Sequence, residues 1–262
     1  MSGPAEPGAV TRIYLRVAAI GFPLALTAAV FAAVRAPTPP AAAPMAPPRV
    51  AVTAPPMNGF VPPSTSKAFE HVYEKAVWGS NSAGEGYSGS GSTAAATVIY
   101  RAYLQAFLKQ HDIKSVVDAG CGDWEFSRTI DWTGIDYKGY DIVADVIEKN
   151  KKRNKLPNVS FFVGNITEID LPPADLVISK HVLQHIPNRD VSAFLKQLPK
   201  YKHALLVNGV GDVTLSSTNP DILPGEYRAL DPTAAPFLLP GIKELTYWDE
   251  MHMHQVVHYE RK

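Results

Sequence analysis

Ser115-Val-Val-Asp-Ala-Gly-Cys-Gly-Asp-Trp124 is the stretch whose reading decides the fold. Val116 and Val117 are β-branched and suit a packed, pleated strand over 115–119. Gly120 and Gly122 then allow positive φ and leave bare main chain for a ligand to lie against. The pattern predicts a helix starting near Trp124. Strand, glycine turn and helix together aim free N–H groups at a bound molecule.

Outward from this turn, strands and helices alternate. Residues 138–142 read as a strand around Asp141, and 143–154 as a helix. A third strand covers 159–163 and runs into Gly164 and Asn165. A fourth covers 174–179, with His181 and His185 following at helical spacing. A helix over 189–198 leads to a fifth strand over 203–208. Residues 209–241 lose periodicity, and so long an irregular run points to a functional loop. Residues 244–247 and 254–259 read as a closing antiparallel pair. Upstream, helices are predicted over 67–77 and 93–111, the second with Ile99, Ala102, Tyr103, Ala106 and Phe107 on its apolar face. The expectation is an α/β fold, Rossmann-like, with a seven-stranded, mostly parallel sheet and an antiparallel closing strand.

The N-terminal quarter has another character. Residues 17–34 carry no charge, flanked by Arg12 and Arg16 before and Arg35 after. Such a run is at the short end for a span of ~20 residues. The arginine bias places the N-terminus in the cytoplasm. Residues 36–63 hold ten prolines among many alanines and read as an extended stem. The organisation expected is an anchor or signal segment over 1–35, a stem over 36–63 and a catalytic domain over 64–262. An uncleaved anchor makes the chain a single-pass membrane protein with its domain lumenal, as in the Golgi, or otherwise extracytoplasmic. A cleaved signal or a transit segment makes it secreted or organellar.

Composition excludes some classes. The chain has 25 Lys plus Arg and 25 Asp plus Glu. Four cations (Arg12, Arg16, Arg35, Arg49) and one acid (Glu6) precede residue 61, so the domain carries 21 cations against 24 acids. A net charge of −3 argues against a nucleic-acid partner. The cluster Lys151-Lys-Arg-Asn-Lys155 is short enough for a solvated helix end. Cys121 is the only cysteine, so no internal disulfide exists, and no Cys/His set has zinc-ligand spacing. No metal is expected.

In a doubly wound sheet the ligand lies beyond the carboxyl ends of the strands. Those ends supply Asp118, Gly120, Gly122, Asp141, Ile142, Asn165, Ile166, Ser179 and His181. Asp141 follows Gly122 by 19 residues, the spacing of a carboxylate that accepts from ribose hydroxyls. A dinucleotide turn would need a third glycine, whereas Gly120-Cys-Gly-Asp-Trp-Glu125 puts Glu125 there. That acid would repel a pyrophosphate and suits a cationic ligand.

Taken together, Val117-Asp-Ala-Gly-Cys-Gly-Asp-Trp124, Asp141 and the strand-four end resemble the class I S-adenosylmethionine-dependent methyltransferases. The resemblance covers roughly residues 65–262. It implies S-adenosylmethionine as cofactor, with Asp118, Gly120, Gly122 and Ser179 beside it. Asp141 would hold the ribose, and Ile142 and Ile166 would flank the adenine. Asn165 stands where the family usually has Asp, its carbonyl free to accept from the adenine amine. The missing third glycine and Asn165 are the departures from the pattern. Trp78 with Ser88-Gly-Ser-Gly-Ser92, and Gly225-Glu-Tyr-Arg-Ala-Leu-Asp-Pro-Thr-Ala-Ala-Pro-Phe237, resemble a branch found beside polysaccharide-modifying enzymes. That implies O-methylation of a sugar or other hydroxylated small molecule; a protein or RNA acceptor, or a cofactor-binding module without chemistry, is the alternative. A hydroxyl acceptor calls for a base, and His181 is the first candidate with Asp212 the second. His252 and His254 are weaker candidates. Arg228 and Asp231 could hold substrate hydroxyls or pair within their loop. Ser88–Ser92 could nest an anion or cap a helix.

Overall fold

The computed structural model describes residues 63–81, 87–211, 219–249 and 252–262, all inside one unit, Met57–Lys262. The apolar segment, the stem up to residue 62 and Asp212 lie outside the described residues. Among the described residues no helix is long and apolar enough to cross a membrane.

Five parallel strands form the centre: β1 Ser115–Ala119, β2 Asp136–Asp141, β3 Val159–Val163, β4 Leu176–Lys180 and β5 His203–Gly209. β6 Ile242–Trp248 and β7 Met253–Glu260 complete a sheet of order β3-β2-β1-β4-β5-β7-β6. β7 runs antiparallel to both neighbours. β7 is the antiparallel strand expected at the closing end of the sheet; it lies between β5 and β6, and β6 forms that edge. The order reverses between β1 and β4, which makes their carboxyl ends the switch point where a ligand crevice opens.

Period-two alternation supplies a core on each face of the sheet. Val116, Leu176, Ile178, Leu205 and Val207 face one layer with Tyr100, Leu104, Phe107 and Leu108 of helix α2 (Val98–Gln110). Val117, Ala119, Val177, Ala204 and Leu206 face the other. There they meet Phe69 of α1 (Thr65–Glu74), Val146 of α3 (Ala144–Arg153), and Val191 and Phe194 of α4 (Asn188–Leu195). All five residues of β4 and all seven of β5 are buried, as expected for strands covered on both sides.

Two helix expectations change. α2 starts at Val98, after turns over 94–97, and its buried stripe is offset from the predicted one. Tyr100, Leu104 and Leu108 are buried, whereas Ile99 and Ala102 are exposed. Large aromatic and leucine side chains outcompeted the smaller residues for the sheet face. The helix expected near Trp124 is absent: between β1 and β2 there is only a single 3-10 turn, Ser127–Thr129. Trp124 instead adopts φ 58° and folds into the core, 5.1 Å from the Phe161 ring and 6.1 Å from that of Tyr137. A left-handed non-glycine residue costs on the order of 1 kcal/mol, and the burial of a large indole offsets it.

Trp124→Ala should lower unfolding free energy by about 3–5 kcal/mol in a urea titration. A loss below ~1 kcal/mol would show that the indole does not hold this connection.

Candidate active site

The site is built at the carboxyl ends of β1 to β4. Its floor is the glycine turn, whose main-chain donors are all engaged within the protein. The Gly120 and Cys121 amides both donate to Tyr140 O, at 2.8 and 2.9 Å. The Gly122 amide donates to Asp141 Oδ2 at 3.0 Å, and that of Asp123 to Ser88 Oγ at 2.9 Å. The turn thus offers no free cradle to a phosphate, and the expectation of N–H groups aimed at a ligand is overturned. The reason is the missing helix: the turn curls back onto the end of β2.

Asp141 links the turn to the next element, its Oδ1 accepting from the Val143 amide at 3.0 Å just before α3. Burial pushes its carboxyl up to about 6, against the pull of these two amides. Cys121 packs beneath, because Gly139 leaves it room: a Cβ there would sit 3.0 Å from Cys121 Sγ. Burial holds the thiol well above its ordinary pKa, so it packs and does not react.

Two predicted cofactor contacts lie behind this floor. Asp118 projects into the α2-side layer, where Tyr137 Oη donates to it at 2.6 Å and Ser127 Oγ lies 3.4 Å away. Burial pushes this acid up to about 7. Ser179 donates to Ala119 O at 3.0 Å and is fully buried. Alternation along β1 and β4 turned both away from the crevice. Gly120, Gly122, Asp141, Ile142, Asn165, Ile166 and His181 do line one cleft, together with Phe69, Trp78, Ser88, Phe126, Lys180 and Val182. Asn165 corrects one expectation. Its side-chain carbonyl accepts from Thr167 N and Thr167 Oγ1, at 3.1 and 2.8 Å, so the amide N–H group is what it has left to offer.

The segment from Tyr87 to Ser92 covers the cleft. Ser88 Oγ bonds Tyr73 Oη at 2.7 Å, and a Cβ on Gly122 would meet Ser88 Oγ at 2.2 Å. Ser88–Ser92 is therefore a cover over the glycine turn, with a 3-10 turn at Ser90–Ser92, and not a nest. It leaves a cleft of about 80 Å³ beside a polar cavity of about 750 Å³ that shares Tyr73, Asp123 and Glu125 with it.

The far end of the cleft holds a line of titratable side chains. His181, at φ 57°, is anchored by its amide to Val207 O at 2.8 Å. Its Nδ1 lies 3.1 Å from Lys180 Nζ and its Nε2 3.0 Å from His254 Nδ1. His254 Nε2 lies 2.7 Å from Asp249 Oδ2. Lys180 Nζ also donates to Gly91 O at 2.6 Å. Burial lowers Lys180 to about 7, while Asp249 and Asp118 pull the other way. Burial likewise depresses His181, well below the ordinary histidine range.

His185 does not share a helical face with His181. It ends a 3-10 turn, contacts Glu226 O through Nδ1 at 2.9 Å and packs on Trp78 at 4.7 Å. Arg228 and Asp231 tie the long loop to neighbouring elements, the start of α4 and β6. Arg228 donates to Ile186 O at 2.8 Å and Asn188 Oδ1 at 2.9 Å, and Asp231 accepts from Lys243 at 2.5 Å. Sequence reasoning passed over Lys180 and Asp249. The signal for the first was a lysine continuing an otherwise apolar strand; for Asp249 there was none, since only the turn before β7 brings it to His254. Among the described residues no group of three or more His, Cys, Asp or Glu side chains is placed to hold a metal ion.

The chemistry of this set can be tested against the implied cofactor. A closed glycine turn, Asp123, Glu125 and Asp141 nearby, and apolar Ile142 and Ile166 fit a cationic nucleoside and disfavour a pyrophosphate. Residues 116–201 match the family model described as a methyltransferase domain. That match covers about a third of the chain. The lining of the cleft fits the sulfonium cofactor that the sequence resemblance implies. No curated protein matches the sequence. Among solved structures, human N-acetylserotonin methyltransferase is similar at 16% identity and TM-score 0.49, over 64% of this chain and 53% of that one. Magnesium protoporphyrin IX methyltransferase from Synechocystis PCC 6803 is similar at 14% identity and TM-score 0.47, over 62% and 82%. The mitomycin 7-O-methyltransferase MmcR is similar at 15% identity and TM-score 0.48, over 63% and 54%. The chain thus spans about half the length of the first of these.

The buried acid under the glycine-turn floor has a measurable signature. Asp118 is raised in the folded state, so the fold binds its proton more tightly than the unfolded chain does. That contribution is present below about pH 4 and is lost as pH rises through about 7. Asp118→Asn should therefore gain stability relative to wild type between pH 4 and 8, by on the order of 2–4 kcal/mol in urea titrations. A difference that stays flat with pH would contradict it.

Proposed function

We propose that the chain transfers the methyl group of S-adenosylmethionine to a hydroxyl of a sugar or glycan. The observation that carries this reading is the line Lys180–His181–His254–Asp249 at the end of the cleft. A hydroxyl is a poor nucleophile until its proton is taken, so a buried proton-accepting line beside the cofactor cleft favours an oxygen acceptor. The sugar itself rests on the resemblance of 78–92 and 225–237 to the glycan-associated branch. We read the uncharged run at 17–34 and the proline-rich stretch after it as a tether that holds the domain on the extracytoplasmic side of a membrane.

When bound, the cofactor supplies an electrophilic methyl group on a sulfonium. Asp141 would take the ribose hydroxyls with the lone pairs its two amide partners leave. Ile142 and Ile166 would enclose the adenine, and the Asn165 amide N–H group would donate to a ring nitrogen. The cover at Ser88–Ser92 lies over the turn and would keep water from the reacting atoms. It must shift to admit the cofactor, because 80 Å³ is well below the ~300–1,000 Å³ of ordinary ligand sites.

Two measurements test the reading. Asp141→Ala should weaken S-adenosylhomocysteine binding about 10- to 100-fold by calorimetry, the weight of charge-assisted hydrogen bonds; unchanged affinity would refute the ribose assignment. Methyl-labelled cofactor with mono- and oligosaccharides should put label into the sugar fraction. Label entering only peptide or RNA in parallel incubations would overturn the acceptor class.

A further inference from the structure

His181 has no ring nitrogen to spare for a substrate. Both are within hydrogen-bond distance of a protein partner, at 3.1 Å to Lys180 and 3.0 Å to His254. The direction of the line follows from its end. An ionised Asp249 only accepts, so His254 Nε2 carries a proton and His254 Nδ1 is bare. His181 Nε2 must then donate to His254, which leaves His181 Nδ1 bare and accepting from Lys180. A second Lys180 hydrogen goes to Gly91 O. A neutral amine so held has both hydrogens spent inside the protein and its lone pair left over. Lys180 also lines the cofactor cleft.

We propose that Lys180, as the neutral amine, is the general base for the acceptor hydroxyl, and that His181, His254 and Asp249 are positioning residues that carry its proton away. This assignment rests on the hydroxyl-acceptor reading. The O–H bond breaks and an N–H bond forms on Nζ. The oxygen's freed pair bonds the methyl carbon, and the pair of the broken C–S bond stays on sulfur. Lys180 passes a proton to His181 Nδ1, His181 passes its Nε2 proton to His254 Nδ1, and His254 passes its Nε2 proton to Asp249. One proton has moved, and the four side chains end neutral.

The surroundings agree with this division of labour. Lys180 is 8% exposed, and the His254 and Asp249 side chains are 4% and 6% exposed. A lasting ammonium there would be poorly solvated and would stand in one cleft with a cationic methyl donor. The groups that face Lys180 are Asp118 from β1, the Phe126 ring 5.3 Å away, the Gly91 carbonyl, His181, and Asp249 with His254 from the β6–β7 turn. His185 and His252 act on His181 from farther out. Burial brings Lys180 down to about 7 against the two acids. The rate should therefore rise with pH through about 7.

The test uses the full chain labelled with ¹⁵N at lysine Nζ, titrated by NMR from pH 5 to 10. One resonance should titrate near 7, be missing in Lys180→Met, and move lower in Asp249→Asn, which removes an acid that favours the ammonium. S-adenosylmethionine should lower it further than neutral S-adenosylhomocysteine does. In sugar methylation, Lys180→Met should lose about 100-fold or more in kcat. Its S-adenosylhomocysteine affinity should stay within about threefold, since it removes no assigned cofactor contact. Asp249→Asn should lower the plateau rate and shift its pH limb down. The wild-type and Asp249→Asn titrations decide the matter even if Lys180→Met does not fold. Every lysine titrating near 10, or a Lys180→Met enzyme with wild-type kcat, overturns the base assignment alone. A wild type that methylates no hydroxyl overturns the acceptor reading and the base assignment with it.

Discussion

The two oxygens of Asp141 hold three elements in one arrangement. One accepts from Gly122 in the turn after β1, and the other from Val143 at the start of α3. Tyr140, one residue earlier, takes the Gly120 and Cys121 amides on its carbonyl. A stretch that would otherwise expose several unsatisfied donors is thereby closed without a helix behind it. The cost is a buried carboxyl whose pKa rises to about 6. The benefit is a floor whose amides are all engaged and which is flanked by Asp123 and Glu125, a poor setting for a phosphate.

The same economy of buried polar groups shapes the other end of the cleft. Lys180 extends a strand with no exposed residue, so its ammonium is poorly solvated and its charge is conditional. His181 reaches its place through a left-handed backbone at the strand end, a strained conformation of the kind that gathers at functional sites. His254 and Asp249 come from β7 and the turn before it. The antiparallel insertion of β7 beside β5 is thus what completes the line, because it brings His254 opposite Gly209 at the carboxyl end of β5.

Much of the sheet was legible because each strand carries its own signal. β1, β3 and β5 begin and end within a residue of expectation, since β-branched and apolar runs bounded by Gly, Asp or Asn leave little choice. The helices after β2 and β4 were also readable from local pattern. The helix after β1 was not, since Trp124 to Thr129 could equally form a helix or fill a pocket. That choice depends on Tyr137 and Phe161, which β2 and β3 bring beside the indole. The α2 stripe failed for a related reason: two overlapping apolar faces exist in its sequence, and only the sheet selects between them.

The amino-acid sequence by itself determined the strand–turn unit, the acid 19 residues beyond Gly122 and the absence of a third glycine, because these are local patterns with steric or electrostatic meaning. It therefore pointed to the cofactor. Tertiary structure decided which side chains face the crevice, since a strand alternates sides and register alone says which parity looks inward. That parity sent Asp118 and Ser179 behind the floor. It also joined Lys180 and His181 to His254 and Asp249, residues about 70 positions away, through pairing of β5 with β7. Local sequence carries no record of such a contact, because it arises only when strands from distant parts of the chain close on one another.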